Sequence, residues 1–232
     1  MARTQPWQST AESEYDIRRR QARIPAAYED FTLDGWPKAS LYPEVVGTLK
    51  EVIGMYKGTP RWPSWYIWGD YGGGKTGLAC GFANQLMRDG QNRYGGTPAV
   101  LFTTVPDLLG EIRSSYDRRE GQPTEWDLLE RYGTHPLVIL DDLGAEQVKG
   151  SGWVEERLYQ IINRRLTGLH TTIFTSNKSL VEIAERLGDR IVWRIIEMVG
   201  DGQTVEIKGA NLRDRNKVEV PARPHQTDTQ RS

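Results

Sequence analysis

Residues 69–76 read Gly-Asp-Tyr-Gly-Gly-Gly-Lys-Thr and satisfy the spacing G-x-x-x-x-G-K-[ST]. That spacing suits a polyphosphate. Glycines let successive backbone N–H groups turn inward toward phosphate oxygens. Lys75 offers a positive charge to β- and γ-phosphates, and the Thr76 hydroxyl is an oxygen ligand for Mg²⁺. The cofactor-binding candidates are therefore Gly69, Asp70, Tyr71, Gly72, Gly73, Gly74, Lys75, Thr76 and Gly77. A helix that follows them would aim its positive N-terminal end at the same anion.

Three further apolar runs end in polar pairs: Thr103-Thr104, Asp141-Asp142 and Ser176-Asn177. If the runs are parallel strands, these pairs share one sheet edge with the glycine-rich loop, where α/β sheets place ligands. Asp141 then holds Mg²⁺ together with Thr76, directly or through water. Asp142 is the residue to orient or deprotonate an attacking water, and Asn177 to hydrogen-bond that water or the γ-phosphate. Asp141 to Gly144 also satisfies D-x-x-G, and Asn177-Lys178-Ser179-Leu180 begins like the guanine-reading N-K-x-D. Leu180 stands where the carboxylate that accepts from guanine would be, which favours ATP over GTP.

The elements that must position these groups follow from periodicity. Residues 65–68 form a short β-prone run. Leu78, Ala79, Phe82, Ala83, Leu86 and Met87 recur at helical spacing behind it, stopped by Gly90. Strands are expected at 99–103, 137–140, 171–175 and 203–207. Helices are expected at 45–56, after Thr104 (with Asp107 and Pro106 in its first turn), at 125–132, from Val154 to Leu166, and at 180–187 and 189–198. Residues 1–24 read as a basic N-terminal arm, solvated or disordered, with a Ser9–Glu12 capping box and Arg18, Arg19, Arg20 and Arg23 clustered on a short helix. Residues 25–44 read as an irregular lead-in. The whole is a single α/β domain over 25–215, with a disordered polar tail over 216–232.

At 232 residues the chain can bury one substantial core, and its formal net charge of −1 confines any DNA binding to local patches. Cys80 is the sole cysteine, which excludes a disulfide framework or a cysteine-based zinc cluster and suits a reducing cytoplasm. It is expected to be a buried small hydrophobe, and Trp153 and Tyr159 to be packing groups. No signal peptide or membrane span is legible, so cytoplasmic localisation is expected.

The runs Gly-Asp-Tyr-Gly-Gly-Gly-Lys-Thr, Leu-Phe-Thr-Thr-Val-Pro-Asp-Leu-Leu, Leu-Val-Ile-Leu-Asp-Asp-Leu-Gly-Ala-Glu, Leu-Tyr-Gln-Ile-Ile-Asn-Arg-Arg and Thr-Ser-Asn-Lys occur in one order over about residues 22–215. Together they resemble the AAA+ ATPase domain of DnaC/DnaI-type replicative helicase loaders, with the transposition helper IstB as close kin. The resemblance implies a P-loop AAA+ core whose five-stranded parallel sheet has the order 5-1-4-3-2. It also implies ATP-dependent homo-oligomers, single-stranded DNA binding and a replicative helicase as partner. An IstB-like helper binding duplex DNA is the alternative, and a nucleotide-gated adaptor with negligible hydrolysis is another.

Residue by residue, Asn177 matches sensor 1, Arg194 the arginine finger and Arg213 the sensor-2 arginine. The helix after Thr104 matches the region facing DNA, which makes Arg113, Arg118 and Arg119, on or just after it, candidate contacts; Lys149, further along the chain, is a separate candidate. Three departures from the pattern are expected to matter. Asp142 stands where many AAA+ proteins have glutamate, so hydrolysis should be slow. The chain after Asn177 is too short for a full helical lid. The helicase-docking domain of known loaders has no counterpart before the matched region.

Overall fold

The central strands are buried almost throughout, and successive side chains enter two different cores, which decides the layering. The computed structural model describes residues 13–55, 63–94, 99–117, 119–146, 152–200 and 202–208. Its strands are β1 (Trp65–Gly69), β2 (Val100–Thr104), β3 (Leu137–Leu143), β4 (Thr171–Ser176) and β5 (Thr204–Ile207). Ile67, Phe102, Ile139 and Ile173 belong to one core, whereas Tyr66, Leu101, Val138, Leu140 and Phe174 belong to another. A sheet apolar on both faces needs helices on both sides. Helices α1 (Glu14–Gln21), α2 (Pro43–Gly54) and α3 (Lys75–Tyr94) cover the first face. Helices α4 (Val105–Ser114), α5 (Glu125–Thr134), α6 (Trp153–Thr167), α7 (Leu180–Leu187) and α8 (Asp189–Val199) cover the second.

The strand order is β2-β3-β4-β1-β5 with every pair parallel, which is 5-1-4-3-2 read from the other edge. All C-terminal strand tips therefore lie on one edge, as the polar pairs required. Local chemistry sets the helix starts there. Thr104 caps α4, its hydroxyl accepting from Asp107 N; full capping boxes open α5 (Thr124 with Asp127) and α7 (Ser179 with Glu182). Pro43 at the first position starts α2 two residues before the expected 45.

β3 runs three residues past the expected end at 140. A bulge between Leu140 and Leu143 restores pairing at Leu143↔Ser176, so Asp141 and Asp142 lie inside the strand rather than after it.

The short helix expected in the N-terminal arm is α1, none of whose residues is buried, and the residues after it tie it to the sheet. The Ser9–Glu12 pair lies outside the described residues. Instead, Ser13 caps α1, its hydroxyl accepting from Asp16 N at 3.2 Å. Ala22 is fully buried, and its carbonyl accepts from Phe102 N of the edge strand β2 at 2.7 Å. The arginines are paired: Arg19 with Asp30 at 3.0 Å, Arg23 with Glu111 at 2.6 Å and Arg18 with Glu14 at 3.8 Å. Among the described residues, the packed unit thus reaches back to residue 13. Residues 209–232, with Arg213, the tail and any lid after β5, lie outside them.

One buried cation ties the lower edge of the second core. Arg165 is 0% exposed and donates to Thr172 Oγ1, Tyr132 O, His135 O and Thr171 O at 2.5–2.9 Å. It thereby joins the end of α5 to the start of β4, and burial pushes its guanidinium pKa down to about 9.

Candidate active site

The loop begins where β1 meets β5. A Cβ on Gly69 would lie 2.2 Å from Ile207 O, so the close approach of these strands requires glycine. Gly72 and Gly74 take φ of 71° and 88°, the left-handed turns that lead into α3 at Lys75. The Lys75 ammonium is 5% exposed and donates to Gly69 O at 3.0 Å, Asp70 O at 2.7 Å and Asn177 Oδ1 at 2.7 Å. Burial lowers its pKa, and the carboxylates of Asp142 and Asp141 oppose that shift.

Asp141 is 3% exposed and accepts at Oδ1 from the hydroxyls of Thr76 at 2.9 Å and Thr175 at 2.5 Å. Burial pushes its carboxyl up to about 6, the Thr175 hydrogen bond pulls it back, and the neighbouring Asp142 adds to the rise. Successive strand residues normally face opposite sides. Asp142 escapes that rule through the bulge and a left-handed φ of 57°, which aspartate tolerates better than most residues. Its N–H donates to Thr175 Oγ1 at 3.0 Å. Both carboxylates consequently line one cleft, with Asn177.

The donor set fits Mg²⁺. Thr76 and Asp141 present hard oxygens side by side, and among the described residues no group of three or more His, Cys, Asp or Glu competes as a metal cage. Mg²⁺ is characteristically held by one or two carboxylates and by phosphate oxygens rather than by a full protein cage.

The cleft measures about 620 Å³, and its second half was not legible as a site in the sequence. Pro25, Tyr28, Phe31, Trp36 and Pro37 of the lead-in line it together with the carboxylates. Trp36 is 2% exposed and donates from Nε1 to Gly74 O at 2.8 Å, which ties this aromatic wall to the phosphate loop. The density of rings and prolines just ahead of the loop is the signal that could have found it. Thr175, the shared partner of Asp141 and Asp142, was also missed.

Arg194 lies outside this cleft. It sits on α8, pairs with Glu197 at 3.2 Å and hydrogen-bonds Tyr159 of α6, over whose ring Arg190 lies at 4.1 Å. Trp193, beside it, is 68% exposed. Tyr159 is thus a platform for two arginines. Trp153 packs as expected, donating from Nε1 to Tyr116 OH at 2.8 Å under the Arg113 guanidinium at 4.7 Å. Arg119 is exposed, while Arg118 and Lys149 lie outside the described residues. Cys80 is fully buried, and burial pushes its thiol up out of the reactive range. Among the described residues, no helix is long and apolar enough to cross a membrane.

The family model described as "IstB-like ATP binding protein" matches residues 65–220. The protein YdaV of Escherichia coli K12, described as uncharacterized, is 31% identical over 127 residues, covering 55% of this chain and 46% of its own length. The replicative helicase loader DnaI of Bacillus subtilis 168 is 24% identical over 197 residues, covering 84% of this chain and 55% of its own. The chain therefore spans about half the length of these curated relatives. The crystal structure of a DnaC helicase loader superposes with a TM-score of 0.62 at 27% identity, over 79% of this chain and 100% of that one.

Proposed function

As a member of the IstB-like ATP-binding family, the chain carries an AAA+ nucleotide site, and we propose that it hydrolyses Mg-ATP, assembles side by side with copies of itself, grips single-stranded DNA and loads a replicative helicase. The observation that carries this reading is the meeting of Lys75, Thr76, Asp141, Asp142 and Asn177 at one sheet edge, with Arg194 on a separate helix. Lys75 binds the β- and γ-phosphate oxygens. Thr76 and Asp141 hold Mg²⁺, which when bound neutralises charge on those oxygens. Asp142 orients a water against the γ-phosphorus and accepts its proton. Its side chain, one methylene shorter than glutamate, favours slow turnover. Asn177 fixes the same water or the phosphate. Arg194 of a neighbouring copy stabilises the charge that develops in the transition state, and Arg213 is proposed as the sensor-2 contact.

The loader role rests on likeness to DnaI and DnaC. It is tested by anisotropy of labelled single-stranded and duplex DNA at matched salt, with and without ATP, alongside turnover. ATP-dependent preference for single strands, weakening steeply with salt and reduced by joint replacement of Arg113, Arg118 and Arg119, is the expected result. Tighter duplex binding would move the assignment to a transposition helper. Binding without turnover would make the chain a nucleotide-gated adaptor. Retention of the purified replicative helicase of the same cell completes the test, and its failure removes the loader role.

A further inference from the structure

Gly77, Gly81 and Asn84 recur at i, i+4 and i+7 on α3 and so share one helix face. The lead-in lies directly on that face. A Cβ on Gly77 would stand 2.9 Å from the Phe31 ring, and one on Gly81 would stand 3.1 Å from the carbonyl of Thr32. The missing side chains let irregular backbone settle against the helix. Asn84, 2% exposed, then donates both amide protons: Nδ2 reaches Tyr28 O at 2.8 Å and Phe31 O at 3.0 Å. One rigid amide holding carbonyls three residues apart fixes both the height and the register of the segment. The residues it holds are the ones whose rings stand edge to face, 5.2 Å apart at 76°, in the wall of the cleft.

We propose that this face of α3 is the seat of a base-binding wall, and that Asn84, which does not itself line the cleft, is a positioning residue for the nucleotide base. The inference rests on the ATP reading above. Tyr28 and Phe31 line the cleft and supply it with aromatic surface against which a purine can pack. The phosphates fall to Lys75 and the loop amides, which Asn84 does not touch. Because α3 carries Lys75 in its first turn and the seat in the turns that follow, a single rigid helix sets the distance between phosphate anchor and base wall. Loss of the amide should therefore weaken ligands that carry a base and spare ligands that do not.

The experiment is calorimetric titration of the full chain, in Mg²⁺, with ATP, GTP and inorganic tripolyphosphate. In Asn84→Asp, which keeps the shape but turns an acceptor toward the two carbonyls, ATP binding should weaken about tenfold while tripolyphosphate stays within about twofold. The preference for ATP over GTP should shrink with it. Gly81→Ala keeps every hydrogen-bonding group and shifts the segment sterically, so it should give the same pattern at about threefold. Thermal melts run in parallel show that each variant is folded. Equal losses of ATP and tripolyphosphate in both variants, or no loss of either, would overturn the seat. Wild-type chain that binds tripolyphosphate as tightly as ATP would overturn the base wall itself, and wild-type chain that binds neither would overturn the nucleotide reading.

Discussion

The two halves of the cleft are built on opposite principles. In the phosphate half, side chains hold one another: Lys75 reaches Asn177, Thr76 and Thr175 reach Asp141, and Asp142 N reaches Thr175. Within each pair the two partners lie on different elements, the α3 start, β3 or the end of β4, so the parallel sheet itself provides the alignment. In the base half, rings and backbone stand on a segment with little regular structure, fastened to α3 by Asn84 and to the loop by Trp36. Charge is positioned by the fold's most regular part, and shape by its least regular one. A phosphate is recognised by a few fixed charges, whereas a base needs area, which irregular chain supplies at low cost in specific residues.

The comparison breaks most directly at Lys75. Lys75→Ala should abolish measurable binding of ATP and tripolyphosphate alike in calorimetry, because both are held by the same charge. ATP binding that survives in this variant would mean that the base half alone suffices. The next largest effect sharpens the phosphate half. Arg194→Ala should lower turnover about 100-fold with ATP affinity nearly unchanged, since the group acts only on the transition state. Mixed with Lys75→Ala, it should regain activity at the fraction of interfaces, about a quarter, that pair an intact loop with an intact finger. Co-assembly without recovery would assign Arg194 a structural role beside Tyr159.

A smaller effect should appear in the base half. Phe31→Ala removes one ring of the wall and should weaken ATP by about tenfold, leaving tripolyphosphate unmoved in the same titration. An equal loss for both ligands would erase the distinction between the halves.

The smallest effect concerns protons. Asp141 is held at about 6 against an ordinary 3.8, so its native form takes up a proton between those values before the unfolded chain does. Its ionised form thus lowers stability above about pH 6, and that cost is relieved as pH falls toward 4. Asp141→Asn, which never carries the charge, should exceed wild type in melting temperature at pH 7, and the gap should narrow as pH drops through 6. A gap that widens on acidification would show that hydrogen bonds to the carboxylate outweigh its burial.

These halves were also unequally legible. Lys75, Thr76, Asp141 and Asn177 are fixed by chemistry that demands one residue type at one place after an apolar run, so residue type and position alone located them. Tyr28, Phe31 and Trp36 belong to a stretch with no period, and what makes them a wall is a helix face fifty residues later. Asn84 sits among Phe82, Ala83, Leu86 and Met87, where an apolar count passes over it. Likewise Arg19 finds Asp30 across 11 positions and Arg23 finds Glu111 across 88, partners that a local charge count does not show. The left-handed turn at Asp142 depends on a register shift against β4, which no single strand's sequence announces.

The bond from Phe102 N to Ala22 O has a consequence for how copies of the chain can meet. β2 is the edge of the sheet, and an edge strand with free donors is a template on which a second strand can grow. Here the donor at the middle of that strand is already taken by the chain's own residue 22, with α1 packed alongside. Addition of a strand across the middle of this edge is blocked by the chain itself. A contact made at the middle of this edge therefore relies on side chains rather than on shared backbone.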